Sequence, residues 1–413
     1  MSIPSLEFLL ALLLLIAAFH LTPSRRARQW ILAVCNFAFV AFALPNWASW
    51  LAIAAFALSG YTAARVLQKT PRTGILSIYL ALLVAAFMVL KKYVLVGLVL
   101  PAWIMEHPIG AVGLSYMLFR QIHFVVDAMQ QQIPEFSLWS YANYQFNLFG
   151  FMSGPIQRYQ EFDARWRAMQ PLLLTRHEVL RAFIRLFIGA IKVSFISVYF
   201  LGTFEAQRRW FMFPGAMAGM GRRLVLTRFA IVFYSYPLYL YFNFSGYCDV
   251  VIAAAALLGI KLPENFDRPY LSRNVSDYWT RFHQSLGFWI RDYLFTPMYK
   301  AAATRWTSSA AMLVFPCYLV AFVLAGIWHG NSLNFVVFGL LHGFGVCAGK
   351  LWENHLIKKK GRKGLREYLA SWPRRIAAIV VTLNFVAFTM LFFPVNVRTT
   401  IEMLRNLVHY MTV

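Results

Sequence analysis

The sequence predicts an all-α polytopic membrane protein, and its composition is the first observation that predicts this fold class. Of 413 residues, 60% are hydrophobic and 13% are charged, which is about half the charged share of an ordinary soluble domain. A single soluble core stops growing at roughly 250–300 residues, so a soluble chain of this length could not bury so much apolar surface. Composition therefore excludes a cytosolic globular enzyme, a disordered protein and a fibrous protein.

The charge pattern is the second observation. The chain has 39 Lys and Arg residues against 16 Asp and Glu residues, a net charge of +23. The basic residues form short clusters between apolar runs, namely Arg25–Arg28, Lys69–Arg72, Arg222–Arg228 and Lys358–Lys363. Such clusters mark cytoplasmic loops by the positive-inside rule, where anionic lipid or an acidic partner would meet them. The basic excess therefore indicates membrane topology, and no nucleic-acid partner is predicted.

The N-terminal apolar segment, Leu6–Leu21, is predicted to be a membrane span rather than a cleaved signal. No Lys or Arg precedes it, and the first basic cluster follows at Arg25. A cleavable signal peptide carries its positive charge before the apolar region. Because the charge comes after this span, its N-terminus is expected outside the cytoplasm.

About eleven membrane elements are expected from the lengths of the apolar runs. Residues 108–152 are interrupted by prolines and glycines, so re-entrant or half-crossing helices buried in protein are expected there. Two polar stretches rich in aromatic residues, 153–178 and 261–307, are expected at the membrane interface. The other apolar runs are 30–44, 47–67, 74–90, 93–105, 179–201, 224–241, 248–260, 308–328, 333–349, 376–393 and the short 399–411.

Several signatures of chemistry are absent from the sequence. The four cysteines are scattered and form no C-x-x-C pair, so neither a disulfide framework nor a metal site is predicted. Strings of the G-x-S-x-G, H-E-x-x-H and P-loop types are also missing. A channel, a transporter and an enzyme remain open, although no internal repeat supports an inverted-repeat transporter. Polar residues inside apolar sequence must decide, because they are costly there.

His329 lies in the longest stretch without a charged side chain. From Trp306 to Gly349, 44 residues contain no Asp, Glu, Lys or Arg, and an arginine and a lysine bracket them. The stretch predicts a helical hairpin with its turn at 328–332, where Gly330 suits a left-handed cap. A neutral imidazole there is suited to act as a general base. The alternative is that His329 only satisfies a backbone group at the turn.

His283 and His342 are the other histidines inside apolar sequence. Read as one helix, Ser276–Lys300 places His283 in an apolar stripe with Phe282 and other large residues. A histidine in such a stripe is either a satisfied core residue or part of a site. His342 follows His329 by 13 residues and does not share its helical face, so a structural or supporting role is expected for it.

Four segments together resemble the membrane-bound O-acyltransferase (MBOAT) family. The resemblance covers about 108–166 and 243–350, and it is closest to the bacterial cell-envelope branch, which modifies alginate by O-acetylation or teichoic acid by D-alanyl transfer. An E-N-F-x-R-P-[YF] element, an R-[FW]-H element and a W-H-G element follow one another along the chain and form a specific combination. The segments are GLSYMLFRQIHFVVD (Gly113–Asp127), SGPIQRYQEF (Ser153–Phe162), the stretch Phe244–Phe295, and LAGIWHGNSLNFVVFGLLHG (Leu324–Gly343).

The resemblance implies a fold and a division of the chain. The fold is a ring of about eleven tilted transmembrane helices, with re-entrant and interfacial helices, around a central cavity. The whole chain, 1–413, would form one integral membrane domain. Its parts would be N-terminal spans at 1–107, a catalytic core at 108–350, and a basic loop with further spans at 351–413.

The resemblance also implies a reaction, the transfer of an acyl group from a thioester donor to a hydroxyl. The W-H-G histidine is His329 and the R-[FW]-H histidine is His283. We expect His329 to be the base and His283 a second catalytic or orienting group, which could also stabilise the oxyanion. Since no Ser or Cys nucleophile motif is present, direct transfer is favoured over a covalent acyl-enzyme.

Supporting residues are expected near these histidines. Asp249 lies in an apolar run and needs a partner, for which Arg268, Arg273 and Arg291 are candidates. Arg268 and Arg273 could equally meet a donor phosphate or tie the 261–300 segment down by an ion pair. The remaining residues expected to line the cavity or substrate site are Asn265, Trp328 and Ser115.

The resemblance leaves the donor, the acceptor and the partners open. No tightly bound cofactor and no metal are expected, and the acyl donor would be acetyl-CoA or a phosphopantetheinyl carrier thioester. An acidic acyl carrier protein on the cytoplasmic side and a periplasmic or extracellular acyltransferase are the partners considered, beside the lipid bilayer. The bacterial inner membrane is the expected location. The alternatives are a proton-coupled transporter or flippase with intramembrane histidines, and a non-catalytic scaffold of an acylation complex.

Overall fold

The computed structural model confirms an all-α membrane protein. It describes residues 5–101, 106, 109–110, 112–169, 174–217, 219–306 and 310–412. Within these residues the only pairing of extended backbone is an isolated antiparallel bridge between Phe266 and Phe282. Seven of the described helices are long and apolar enough to cross a membrane.

The helices follow one another along the chain. A π-helical stretch, Lys192–Ile196, joins the helix that ends at Ile191 to the helix that begins at Ser197, and another, Arg291–Phe295, joins the helices on either side of it. The helices are α1 (Leu6–Leu21), α2 (Arg25–Ala43), α3 (Trp47–Lys69), α4 (Thr73–Leu90), α5 (Val94–Gly97), α6 (Leu114–Met129), α7 (Leu138–Gln145), α8 (Tyr159–Ala168), α9 (Arg176–Ile191), α10 (Ser197–Met212), α11 (Arg222–Leu257), α12 (Val275–Trp279), α13 (Gln284–Ile290), α14 (Thr296–Arg305), α15 (Ala310–His329), α16 (Leu333–Ala370), α17 (Trp372–Met390) and α18 (Val397–Thr412).

The chain forms two compact units. The first contains residues 1–190 and 246–264, and the second contains residues 191–245 and 265–413. His283, His329 and His342 all belong to the second unit, whereas Ser115 and Asp249 belong to the first.

Two expected spans are one helix. The runs 224–241 and 248–260 were predicted to be separate, but α11 continues through both of them with Pro237 inside it. The polar and aromatic residues between the runs lower the hydropathy without ending the backbone hydrogen bonds of a helix, so hydropathy alone places a boundary where there is none. The run 93–105 contains only the short α5, and residues 102–105 lie outside the described part of the chain.

The interrupted region 108–152 contains short helices whose polar side chains are buried and bonded. In the first unit Arg120 donates to the carbonyl of Tyr144 at 2.9 Å, and His123 Nε2 lies 2.7 Å from the Tyr144 hydroxyl. Asp127 accepts from Gln160 at 2.7 Å. Each of these buried side chains thus has at least one partner inside the protein, as helices that lie at membrane depth without crossing it require.

The predicted hairpin is present as α15 and α16, with its turn at 330–332. Gly330 does not adopt the left-handed conformation expected for it. Instead, a Cβ at Gly330 would collide with the ring of Phe335, so the absence of a side chain lets this ring close the turn. The helices also approach closely at Gly339, where a Cβ would collide with the carbonyl of Phe322.

This close approach leads to a stability prediction. Replacing Gly339 by leucine is expected to destabilise the protein by about 1–3 kcal/mol, because the side chain would force α15 and α16 apart. Gly349 is a matched control on the same helix, since its Cβ would meet no atom within 4 Å. Melting temperatures of the two variants in detergent check this, and an equal effect of both substitutions would contradict it.

Candidate active site

His283 lies at a break between two helices. The single helix expected over Ser276–Lys300 is wrong, because α12 ends at Trp279 and α13 begins at Gln284. His283 is the N-cap of α13 and has a left-handed φ of 51°, a conformation that is uncommon for a residue with a side chain. His283 therefore has a fixed backbone conformation at the start of a helix and is not a member of a continuous apolar stripe.

The break is caused by pairing with a distant segment. Phe266 and Phe282 form the isolated antiparallel bridge, and the Asp267 N–H donates to the Arg281 carbonyl at 2.9 Å. These bonds take backbone groups that a continuous helix would use within itself. The E-N-F segment is thereby tied to the R-F-H segment, and this pairing explains why the two motifs occur together.

Asn265 determines which nitrogen of His283 carries the proton. The Asn265 side-chain oxygen accepts from the Ser285 N–H at 3.1 Å and from the Ser285 hydroxyl at 2.8 Å. Since a backbone N–H can only donate, this atom is the amide oxygen, and His283 Nδ1, 3.2 Å away, must be protonated to bond to it. The neutral ring then presents its lone pair at Nε2.

His329 is the last residue of α15. Its ring lies between the aromatic rings of Trp328, with centroids 4.6 Å apart, and Phe393, 5.2 Å apart. The side chain is half-buried, and neither ring nitrogen has a hydrogen-bond partner among the residues that the structure describes. An imidazole held by ring contacts alone keeps both nitrogens available to a substrate.

The electrostatic surroundings of the two histidines differ. Burial, together with charge on the nearby His329, lowers the pKa of His283 to about 3, so His283 is neutral at physiological pH. The positive end of the α13 dipole also opposes an imidazolium at this position. His329, in contrast, is the last residue of a 20-residue helix, and both of its ring nitrogens are open to a substrate. Of the two, His329 is better placed to take up a proton.

His342 is fully bonded inside the protein. The Trp279 indole N–H donates to His342 Nδ1 at 3.1 Å. Its Nε2 therefore carries the proton and donates to the Thr389 hydroxyl at 2.9 Å, which in turn donates to the Val386 carbonyl at 2.8 Å. With both nitrogens occupied, His342 positions α12 against α16 and α17, which agrees with the supporting role expected for it.

Asp249 has a different partner from those expected. Arg185 donates to it at 2.9 Å and also forms a two-point pair with Glu264 at 2.7 and 2.6 Å. Arg268, Arg273 and Arg291 were the wrong candidates, because the partner comes from a helix 64 residues earlier in the chain. The sequence signal was Arg185 itself, which is a cation inside the apolar run 179–201 and needs a partner for the same reason as Asp249.

The other predicted site residues have these surroundings. Arg268 is exposed and has a left-handed φ of 45°. Arg273 lies 3.8 Å from Asp277, as expected of an ion pair that ties this segment down, and Arg291 lies 2.7 Å from its neighbour Asp292. The described residues contain no cluster of three or more side chains able to hold a metal ion.

The sequence model of the MBOAT family, the membrane-bound O-acyltransferases, matches residues 112–393, which include both histidines, Asn265 and the α15–α16 hairpin. The match therefore covers more than half of the chain.

Several curated proteins with acyltransferase names are similar to this chain. A teichoic acid D-alanyltransferase of Streptococcus thermophilus is 27% identical over 297 residues, which are 68% of this chain and 67% of the relative. A peptidoglycan O-acetyltransferase of Helicobacter pylori is 30% identical over 175 residues, 42% of this chain and 30% of the relative. A probable alginate O-acetylase of Pseudomonas fluorescens is 25% identical over 258 residues, 61% of this chain and 47% of the relative. The chain belongs to the membrane-bound O-acyltransferase family, as its motifs predict.

Proposed function

We propose that this protein transfers an acetyl or D-alanyl group from a cytoplasmic thioester to a hydroxyl of a cell-envelope or exported polysaccharide. The observation that carries the proposal is the presence of two histidines in complementary states, one buried and one half-buried. His283 is held neutral with its lone pair at Nε2, and His329 ends a helix with both nitrogens available. The similar proteins named as D-alanyltransferase and O-acetyltransferases support this class of substrate.

The proposed reaction needs one proton acceptor. The acceptor hydroxyl attacks the thioester carbonyl, its proton passes to His329, a C–O bond forms and the C–S bond breaks. The imidazolium then returns the proton to the departing thiolate, which restores the neutral base. Transfer is direct, so no acyl group is held on a side chain.

His283 has an orienting role in this scheme. Its Nε2 lone pair is available to accept a hydrogen bond from the His329 N–H, which would leave the other His329 nitrogen free to act as base. This is the arrangement of a base oriented by a third group. A neutral His283 has no N–H at Nε2, so it cannot also donate to the oxyanion, and that donation falls to other groups of the site.

The orientation and partners follow from the charge pattern. We place the basic loops in the cytoplasm and the N-terminus outside, in a bacterial plasma membrane. The donor is then acetyl-CoA or a phosphopantetheinyl thioester on an acidic carrier protein, which the cationic face attracts. A periplasmic or extracellular acyltransferase would receive the acyl group where the acceptor is not modified directly.

An assay with the purified full chain in liposomes tests the function. Acetyl-CoA and a D-alanyl carrier thioester are supplied in turn with a soluble polyol, and thioester consumption and ester product are both measured. We expect ester formed in step with thiol release for one of the two donors. Uptake driven by a pH gradient without acyl turnover would indicate a transporter. Polymer acylation in cells whose protein has both His283 and His329 replaced would indicate a scaffold. Either result would contradict the proposal.

A further inference from the structure

A cavity of about 620 Å³ in the second unit has no histidine in its lining, although one lining residue, Phe385, packs against His342. Its volume is within the range of small-molecule sites, roughly 300–1,000 Å³. It is formed because α16 is kinked at Gly361, which has φ 68° and ψ 175°. After the kink, Leu365, Tyr368 and Leu369 form one helical face that lines the cavity opposite α17.

The lining of the cavity is strongly cationic. Four basic side chains and a single carboxylate contribute to it. Arg374 lies over the Tyr368 ring at 4.7 Å, and Arg375 makes no side-chain hydrogen bond or ion pair with any residue in the described ranges. The other two cations each lie near a carboxylate. Arg273 is 3.8 Å from Asp277, and Lys350 is 3.0 Å from Glu353. The positive charge is therefore only partly compensated.

Other side chains of the lining are apolar and exposed at the surface. Ala377 and Val381 line the cavity from α17, and Val381 is 68% exposed on a helix that is long and apolar enough to cross a membrane. Trp352, another lining residue, is 54% exposed. On a membrane-spanning helix such side chains face acyl chains, and Trp marks the interface. The cavity lining thus combines cationic side chains with apolar side chains that are exposed toward lipid.

We propose that this cavity binds one anionic phospholipid. The phosphate lies against Arg374 and Arg375, and an acyl chain extends past Ala377 toward Val381, about 10 Å further along α17 at 1.5 Å per residue. Basic pockets between transmembrane helices bind anionic head groups in this way, and the cytoplasmic leaflet supplies such lipids. The proposal uses the membrane orientation given above but not the acyl-transfer reaction, so either can fail alone.

The test measures lipid binding to the delipidated full chain. Dioctanoyl phosphatidylglycerol is titrated against the protein in detergent, with dioctanoyl phosphatidylcholine, glycerol phosphate and inorganic phosphate as separate arms, by native mass spectrometry and by melting temperature. We expect one phosphatidylglycerol per chain, bound at least tenfold more tightly than phosphatidylcholine. The R374Q/R375Q double variant should lose at least tenfold in affinity. The K358Q/K359Q double variant removes the same charge from exposed positions of α16 outside the cavity and should bind as the wild type does.

The other outcomes would overturn the proposal. Equal affinity for phosphatidylcholine would show that no anionic head group is recognised. Full binding by glycerol phosphate or inorganic phosphate would show a free-phosphate site without a lipid requirement. Displacement of the lipid by equimolar coenzyme A would assign the cavity to the donor. Equal losses of lipid affinity in the two double variants would show that only the net charge of the protein matters.

Discussion

Replacing His329 by glutamine is expected to lower the rate of acyl transfer by about 10²- to 10⁴-fold, the usual contribution of a positioned general base. A 10³-fold loss corresponds to about 4 kcal/mol of transition-state stabilisation. Glutamine keeps a polar side chain at the end of α15 but cannot take up a proton. The loss should therefore appear in kcat, with donor binding little changed.

The control for this variant is His355→Gln. His355 is exposed on α16 and stacks on Trp352 with ring centroids 5.7 Å apart, so its replacement removes a histidine without touching the site. Both variants should purify in equal yield and melt at temperatures close to that of the wild type. Transfer by His329→Gln at a rate within threefold of the His355→Gln control would remove His329 from the role of base.

Replacing Asn265 by alanine is expected to lower transfer by about 10- to 100-fold, the loss typical of removing a partner that orients a functional histidine. Without the amide oxygen, His283 Nδ1 has lost its fixed acceptor and the ring can adopt the other tautomer. In that tautomer Nε2 carries the proton and cannot accept a hydrogen bond. Asn384→Ala is the control, because it removes a 2.7 Å hydrogen bond to Tyr234 in the same unit without touching a histidine.

The variant Asn265→Asp separates orientation from packing. A carboxylate can accept the same three hydrogen bonds, so activity at neutral pH should be largely restored relative to the alanine variant. Its negative charge raises the pKa of His283, so the Nε2 lone pair is lost at a higher pH as the solution is acidified. The acid limb of the pH–rate profile should move upward, and a profile identical to that of the wild type would contradict the orienting role of Asn265.

The hairpin that carries His329 could be predicted from sequence because its signals are local. A 44-residue stretch without charge, bracketed by basic residues, locates α15 and the first part of α16 by hydropathy. Hydropathy did not predict that α16 continues past this stretch to Ala370. The polar turn between α15 and α16 sets the position of His329 at a helix end. The prediction of a left-handed conformation at Gly330 was wrong. The conformation there depends on how the Phe335 ring packs, which no local sequence pattern encodes.

The surroundings of His283 could not be predicted in the same way because they depend on distant pairing. Helical periodicity over Ser276–Lys300 is real, but the bridge between Phe266 and Phe282 breaks the helix. Asn265 was expected only to line a cavity, whereas it determines the protonation of His283. Periodicity reports which residues share a face, and it carries no information on a partner from another segment.

The central claim is that His329, and not His283, takes the proton of the acceptor hydroxyl. The most direct measurement is the single-turnover rate of acyl transfer for His283→Gln and His329→Gln, compared in the same preparation with donor at saturation. Glutamine at position 283 can still accept a hydrogen bond through its amide oxygen, so this variant is predicted to be at least tenfold faster than His329→Gln. A His329→Gln variant that is as fast as His283→Gln, or faster, would contradict the account.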